Sequence, residues 1–454
     1  MITGMISCNS AEEKPVDYAV FSGKIDQTQE PKLVLRNFEN NIVKEIDIDA
    51  QGAFSDTLKG IVPGFYTFSV GDNRSTVYIE PGYALSMQLN ATEFDETLLY
   101  RGIGNPENNY LAQKMLLQKR LVPILNYKYL GSLDEKAFLI KIDSIQRLQK
   151  ELLNKQKDLN PGFVELENGN ILYGWANMMH DYEAYRRYVG EDKEFKVSAE
   201  YPDFHAKLDP ENEKLAAVNS YKNYWQKYYN IKANPNKDPN DDSVTPSYLN
   251  LVSKEVKSPV IKNNLLYAEA KYAITYTNDL QNYYNSFIAN TSNEVHKKEI
   301  SDTYNKLMKL SKGKPSPSFE NYENFDGGST SLNDLRGKYV YIDVWATWCG
   351  PCIREIPSLK ELIKNHEGKN IAFMSISVDK QKDHGKWKEM VKEKDMKGIQ
   401  LFAPKDWESD FIKEYSIMGI PRFILIDPNG NIVNANAPKP SDTELANLLG
   451  SLNL

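Results

Sequence analysis

Short runs of β-branched and aromatic residues, each closed by a turn signal, fill the chain from residue 15 to 103. The runs 18–25, 32–36, 42–48, 53–58, 65–70, 76–80, 84–89 and 97–101 predict strands. Gly23, Gly52, Pro63-Gly64, Gly71-Asp72 and Pro81-Gly82 mark their corners. Ile42, Ile46 and Ile48 fall on alternate positions, the period of a half-buried strand. Many short strands at this spacing predict a small antiparallel β-sandwich. No cluster of catalytic residue types lies within it.

From 104 to 310 the period lengthens to that of helices. Phe138, Ile142, Ile145, Leu148 and Leu152 recur at helical spacing, as do Ile171, Trp175, Met178, Tyr182 and Tyr185. Ser132-Leu133-Asp134-Glu135 reads as a capping box ahead of the first of these runs. Tyrosines crowd this all-α region, among them Tyr221, Tyr224, Tyr228, Tyr229, Tyr267, Tyr272, Tyr276, Tyr283 and Tyr284. They read as amphipathic core stripes whose hydroxyls reach the surface, in preference to a ligand-binding groove. The Asn-, Asp- and Pro-rich stretch 234–247 reads as a loop.

A linker at 311–317 opens the last domain, 311–454, where strand and helix alternate. The run 339–345 is a near-continuous apolar strand of the buried type. A helix is expected at 351–366, with Pro351 in its first turn, then a buried strand at 371–378. Shorter elements follow at 387–394, 400–402 and 408–415. The runs 423–426 and 431–434 flank Asp427-Pro428-Asn429-Gly430, a hairpin turn, and Ser441-Asp442-Thr443-Glu444 caps a final helix. This is an α/β order with a terminal hairpin.

Composition narrows the function classes. The 454 residues suggest about three domains, and a 41% hydrophobic fraction supports packed cores. A net charge of −7 argues against a general nucleic-acid binder, which needs a concentrated basic face. No apolar run is long enough to cross a membrane as a helix. Three cysteines, Cys8, Cys349 and Cys352, are too few for a disulfide-stapled scaffold.

Cys349 and Cys352 stand at a strand-to-helix junction. A helix tip presents unpaired N–H groups and the positive end of the helix dipole, and both favour a thiolate. Cys349, just ahead of the helix, is expected to be the exposed nucleophile, and Cys352, one turn in, to be shielded. Cys349 would attack a partner disulfide to give a mixed disulfide, which Cys352 would then resolve. A zinc site lacks its other ligands, since His366 and His384 form no ligand pair. The peroxidatic pattern Pro-x-x-x-Thr-x-x-Cys is also missing, because Thr347 lies only two residues before Cys349.

The segment Asp343-Val344-Trp345-Ala346-Thr347-Trp348-Cys349-Gly350-Pro351-Cys352 resembles the thioredoxin active-site strand and turn. With Ile353-Arg354-Glu355-Ile356-Pro357 it gives Cys-x-x-Cys-x-x-Glu-x-Pro, similar to the TlpA/ResA branch of envelope thiol-disulfide oxidoreductases. Gly419-Ile420-Pro421 stands where that fold carries its cis-proline loop, and the elements after Val378 resemble the TlpA-like insertion. The resemblance covers about 315–454. It implies a C-terminal thioredoxin-like fold, which with the N-terminal β-sandwich and central all-α region read above makes a multidomain chain, and those two regions resemble the N-terminal extensions of envelope lipoproteins that carry this domain. It also implies roles. Asp343 matches the buried acid beneath the dithiol, and a carboxylate in an apolar strand is expected to have a raised pKa. Glu355 matches the active-site glutamate of this branch. Trp348, Gly350, Pro351, Ile420 and Pro421 match the substrate-binding rim, with a cis bond at Pro421 and backbone hydrogen bonds from Ile420 to an extended peptide. Trp345 reads either as a shield of the site or as core.

The N-terminal segment 1–14 resembles the tail of a bacterial lipoprotein signal, with Cys8 as the lipidated residue and a polar leader behind it. The expectation is a protein-disulfide reductase of the cell envelope, in the periplasm or at the outer membrane, held by a lipid anchor only. No cofactor beyond the redox-active Cys349–Cys352 disulfide is expected. Its partners would be protein disulfides and a membrane-derived electron donor. Two rivals remain: a thiol peroxidase acting at Cys349, and a binding lipoprotein in which the thioredoxin domain is secondary.

Overall fold

A computed structural model describes residues 16–235, 237, 243–452 and 454. The expected leader 1–14, with Cys8, lies outside the described residues, as does the middle of the expected loop 234–247. The chain divides into two compact units, Met1–Tyr228 and Tyr229–Leu454. The division falls inside the helix Asn219–Ala233.

In the first unit, strands β1 (Tyr18–Asp26), β2 (Lys32–Arg36), β3 (Ile42–Asp47), β4 (Ala53–Lys59), β5 (Gly64–Val70), β6 (Asn73–Ile79), β7 (Ala84–Asn90) and β8 (Leu99–Ile103) make two four-stranded sheets. Their orders are β4-β1-β7-β8 and β3-β2-β5-β6. Both sheets feed one core, in which Phe21 packs edge-on against Phe54 and Phe68. The sandwich is not wholly antiparallel, as β1 and β7 run parallel. The chain leaves β1 to build the other sheet and returns to lie beside it in the same direction. The alternation of Ile42, Ile46 and Ile48 also misleads. A register shift at Leu35/Arg36 turns Ile42 out of the face, and it is 52% exposed while Ile46 is buried.

The helices of this unit are α1 (Phe94–Thr97), α2 (Asn105–Leu121), α3 (Tyr127–Ser132), α4 (Glu135–Asn154), α5 (Pro161–Val189) and most of α6 (Asn219–Ala233). The cap of α4 is Asp134, which accepts from the Ala137 amide, and Ser132 instead closes α3. The expected capping box at Ser132 is therefore displaced, because the chain completes another helix through that residue first. Phe138 of α4 stacks on Tyr182 of α5 with ring centroids 3.9 Å apart. Between α2 and α5, the fully buried Glu167 carboxylate accepts from the Lys114 ammonium and from the Tyr110 hydroxyl. Such a pair is costly to break, since either charge alone is left in a dry core.

The second unit begins with α7 (Ser247–Glu255), α8 (Pro259–Ala273), α9 (Leu280–Asn290) and α10 (Glu294–Met308). Ser258 caps α8, with Pro259 in the first turn, where no N–H partner is lost. Tyr221, Tyr224, Tyr229, Tyr267 and Tyr283 are core, while Tyr272 is exposed, and not every hydroxyl reaches the surface: that of Tyr283 is buried without a partner.

A seven-stranded sheet follows, built from β9 (Tyr322–Asn324), β10 (Ser329–Thr330), β11 (Tyr339–Trp345), β12 (Ile371–Ser377), β13 (Ile399–Phe402), β14 (Arg422–Ile426) and β15 (Ile432–Asn434). Its order is β10-β9-β13-β12-β11-β14-β15. β11, β12 and β13 are parallel, and β14 and β15 form the antiparallel hairpin. The small β9–β10 hairpin lacks a hydrophobic run long enough to read from sequence. The helices are α11 (Gly350–Asn365), α12 (His384–Glu393), α13 (Asp410–Glu414) and α14 (Thr443–Gly450). One cluster holds both cysteines with Val344, Trp345 and Trp387, and a second joins Tyr341, Leu359, Phe423 and Leu445. This is the thioredoxin-like arrangement that the sequence implied.

The buried ion pair sets a test of the first unit. Glu167→Ala leaves the Lys114 ammonium uncompensated, and urea unfolding of the full chain should show this unit losing about 3–5 kcal/mol. A loss under about 1 kcal/mol, the value of an exposed pair, would contradict a dry environment.

Candidate functional site

β11 ends at Trp345, and the loop 346–349 carries the chain to α11. Cys349 is the N-cap of that helix, and its Sγ accepts from the Cys352 amide at 3.1 Å. Gly350 and Pro351 occupy the first turn. Cys349 and Cys352 are joined in a disulfide. The expectation of an exposed Cys349 beside a shielded Cys352 needs correction, since each is 4% exposed. With the two sulfurs bonded, both lie in the same apolar cluster. What separates them is position: the Cys349 sulfur sits at the helix tip, where an amide points at it. Around them Trp348, Gly350 and Pro351 form an exposed rim, with Trp348 60% exposed. Trp345 is core, fully buried under the sheet.

Antiparallel pairing of Val344 with Arg422 sets the start of β14 beside the end of β11. The Ile420–Pro421 bond just ahead of Arg422 is cis. Ile420 packs against the cluster that holds both cysteines. The dithiol and the cis-proline loop thus meet at the carboxyl ends of the parallel strands, where open α/β sheets form their sites.

Asp343 lies in β11, two residues before Trp345, and is buried. Burial pushes its carboxyl from an ordinary 3.8 up to about 7. The Ser375 hydroxyl, donating at 3.4 Å, opposes the rise, and the negative charge of Glu355 adds to it. Glu355 is half-buried on α11. It accepts from both the amide (2.9 Å) and the hydroxyl (2.8 Å) of Ser441, just ahead of α14. Its role is thus partly to tie α11 to the last helix.

Asp379 was not among the expected site residues, yet it holds the active-site loop. Its carboxylate accepts from the Thr347 amide (2.9 Å), the Thr347 hydroxyl (2.7 Å) and the Ser377 hydroxyl (2.8 Å). The available signal was a polar pair, Ser377 and Asp379, at the carboxyl end of an otherwise apolar strand. Beside Trp348 opens a cleft of about 440 Å³, lined also by Thr347 and by Lys386, Glu389, Met390 and Glu393 of α12. Among the described residues, no group of histidine, cysteine and acidic side chains is placed to hold a metal.

A disulfide at a helix tip, a buried acid in the preceding strand and a neighbouring cis-proline loop define a thioredoxin-fold dithiol protein. The AhpC/TSA family matches residues 312–435. The thiol-disulfide oxidoreductase ResA of Bacillus cereus strain ZK / E33L is 31% identical over 125 residues, 28% of this chain and 69% of that protein. ResA of Bacillus cereus strain ATCC 10987 is 29% identical over 130 residues, 29% of this chain and 72% of its own length. The thioredoxin domain of a thiol-disulfide oxidoreductase from Bacteroides vulgatus is 30% identical, covering 32% of this chain and 99% of its own, with a TM-score of 0.29. Through its C-terminal domain the chain belongs to the ResA family of thiol-disulfide oxidoreductases.

The raised pKa of Asp343 carries a stability consequence. Between 3.8 and about 7 the folded state holds a proton that the unfolded state has lost, so stability falls as pH rises through that window and stays low above it. Asp343→Asn is therefore expected to be more stable than wild type near pH 8, by up to about 4 kcal/mol at roughly 1.4 kcal/mol per pH unit. The gap should close toward pH 4. Denaturant unfolding of the oxidised protein across this range measures it, and a gap that ignores pH would contradict a buried acid.

Proposed function

We propose that the protein reduces disulfides in partner proteins through Cys349 and Cys352. The observation that carries this reading is the Cys349 sulfur at the tip of α11, facing the Cys352 amide beside the cis-proline loop. In the reduced protein the Cys349 thiolate attacks one sulfur of the partner disulfide. A mixed disulfide forms, and the first partner thiolate leaves. Asp343, titrating near neutrality, takes the proton of Cys352. The Cys352 thiolate then attacks the Cys349 sulfur and releases the second partner thiolate. Two electrons pass to the partner, and the Cys349–Cys352 disulfide is left. An external dithiol must reduce it again, and a membrane-derived donor fits an envelope protein. In this reading the backbone of Ile420 pairs with an extended partner strand, and Trp348, Gly350 and Pro351 border it.

The location proposed is the bacterial envelope, in the periplasm or at the outer membrane, with a lipid on Cys8 as the only anchor. Among the described residues no helix is long and apolar enough to cross a membrane.

Peroxide reduction at Cys349 is the second reading, and the AhpC/TSA match favours it. Against it, the Thr347 hydroxyl is already donated to Asp379 and is not free to meet a peroxide. Hydrogen peroxide that oxidises the reduced protein faster than a protein disulfide does would reverse the order of the two readings.

The reductase reading is tested with insulin in the presence of dithiothreitol. Wild type should accelerate its reduction, and Cys349→Ser should fall to background. Cys352→Ala should accumulate mixed disulfides on Cys349 in cells, because the resolving thiol is gone. Absence of both turnover and trapping would refute the proposal. The anchor is tested apart from the chemistry, by the mass of the mature N-terminal peptide: a diacyl- or triacylglyceryl increment on Cys8 is expected, and an unmodified Met1 would refute it.

A further inference from the structure

The loop that carries Ile420 and Pro421 is gripped from outside the α/β domain. Tyr276 stands just after α8, in the helical region that precedes the sheet, within the same compact unit. Its ring lies 4.3 Å from the Arg422 guanidinium, measured to the ring centroid. Its carbonyl accepts from the Asn436 side-chain amide at 2.6 Å, and the Asn436 oxygen accepts from Arg422 Nη1 at 3.0 Å. Its hydroxyl lies against Gly419, so close that a Cβ built on that glycine would stand 2.6 Å from it. Tyr276 therefore touches the residue before Ile420 and the residue after Pro421.

Arg422 makes this contact matter. It is 3% exposed, and its Nε and Nη2 have no hydrogen-bond partner. Among the described residues no carboxylate is paired with it, and burial lowers its pKa to about 10. A desolvated guanidinium over an aromatic face is held by the ring quadrupole, and planar stacking is a property that lysine does not share. The Tyr276 ring thus joins the Asn436 oxygen in compensating a buried cation one residue from the cis-proline bond.

We propose that Tyr276 is a positioning residue for the redox site: through Arg422 and Gly419 it fixes the cis-proline loop in the place where an extended partner strand pairs with Ile420. This rests on the reductase reading and adds a role for the helical region, which supplies one wall of the partner site. Partners that use the loop should depend on Tyr276, and disulfides too small to reach it should not.

The test is single-turnover oxidation of the full-length reduced protein by two disulfides: insulin, which offers a polypeptide strand, and cystamine, which has no backbone. Tyr276→Leu keeps apolar bulk but removes the ring. It should raise the half-saturating insulin concentration about tenfold, the weight of a lost cation–π contact, and leave the cystamine rate within about twofold. Tyr276→Phe keeps the ring over Arg422 and loses only the hydroxyl against Gly419, so it should recover most of the wild-type insulin value. Equal losses on insulin and cystamine would assign Tyr276 to the general fold and overturn the proposal. An unchanged insulin value in Tyr276→Leu would overturn it as well. A wild type oxidised by cystamine and not by insulin would refute the reductase reading, and this proposal with it.

Discussion

The site depends on one contact, the amide of Cys352 directed at the sulfur of Cys349 at the N-terminus of α11. A helix begins with amides that have no intrahelical acceptor, and a side chain at the cap position ordinarily supplies one. Here a sulfur stands where a serine or aspartate oxygen usually does. The same amides that need an acceptor stabilise negative charge on that atom once it is reduced. Pro351 suits the first turn because it has no N–H to leave unpaired. The element that builds the fold locally is therefore also the element that prepares the chemistry.

The surroundings act through burial more than through opposing charges. Among the described residues, no cation steadies the ionised form of Asp343. Desolvation and the nearby Glu355 push its carboxyl up to about 7, against one long hydrogen bond from Ser375. A strand aspartate that titrates near neutrality can take up a proton in one half of the cycle and return it in the other. Asp379 has a different setting. It is just as buried, but three hydrogen bonds from Thr347 and Ser377 saturate it, and it serves as an anchor for the loop that carries Trp348 and Cys349. Two buried acids a short way apart in the fold are thus given different work by the donors around them.

Much of this was legible in the sequence where a local rule suffices. The strand 339–345, the helix that follows the dithiol and the 427–430 turn follow from run length, a first-turn proline and turn residues, and they sit where expected. The failures share a cause. The parallel pairing of β1 with β7, the turned-out Ile42 and the displaced cap of α4 all depend on how one segment meets another, which no local period encodes. Cys349 and Cys352 were expected to differ in exposure, but a bonded pair shares one environment. Asp379 was missed because its meaning lies in Thr347, 32 residues earlier, and Tyr276 because its partners lie beyond residue 418.

The role of the helical region follows from the arrangement at Arg422. A cation in the core needs compensation, and among the described residues of the α/β domain the Asn436 oxygen accepts a hydrogen bond from it. The Tyr276 ring adds to that compensation. In this chain the segment that brings Tyr276 supplies part of the surroundings of the arginine that follows the cis-proline. Gly419 fits the same logic. Any side chain there would displace the Tyr276 hydroxyl, so a residue without one is what allows the aromatic ring to reach the guanidinium.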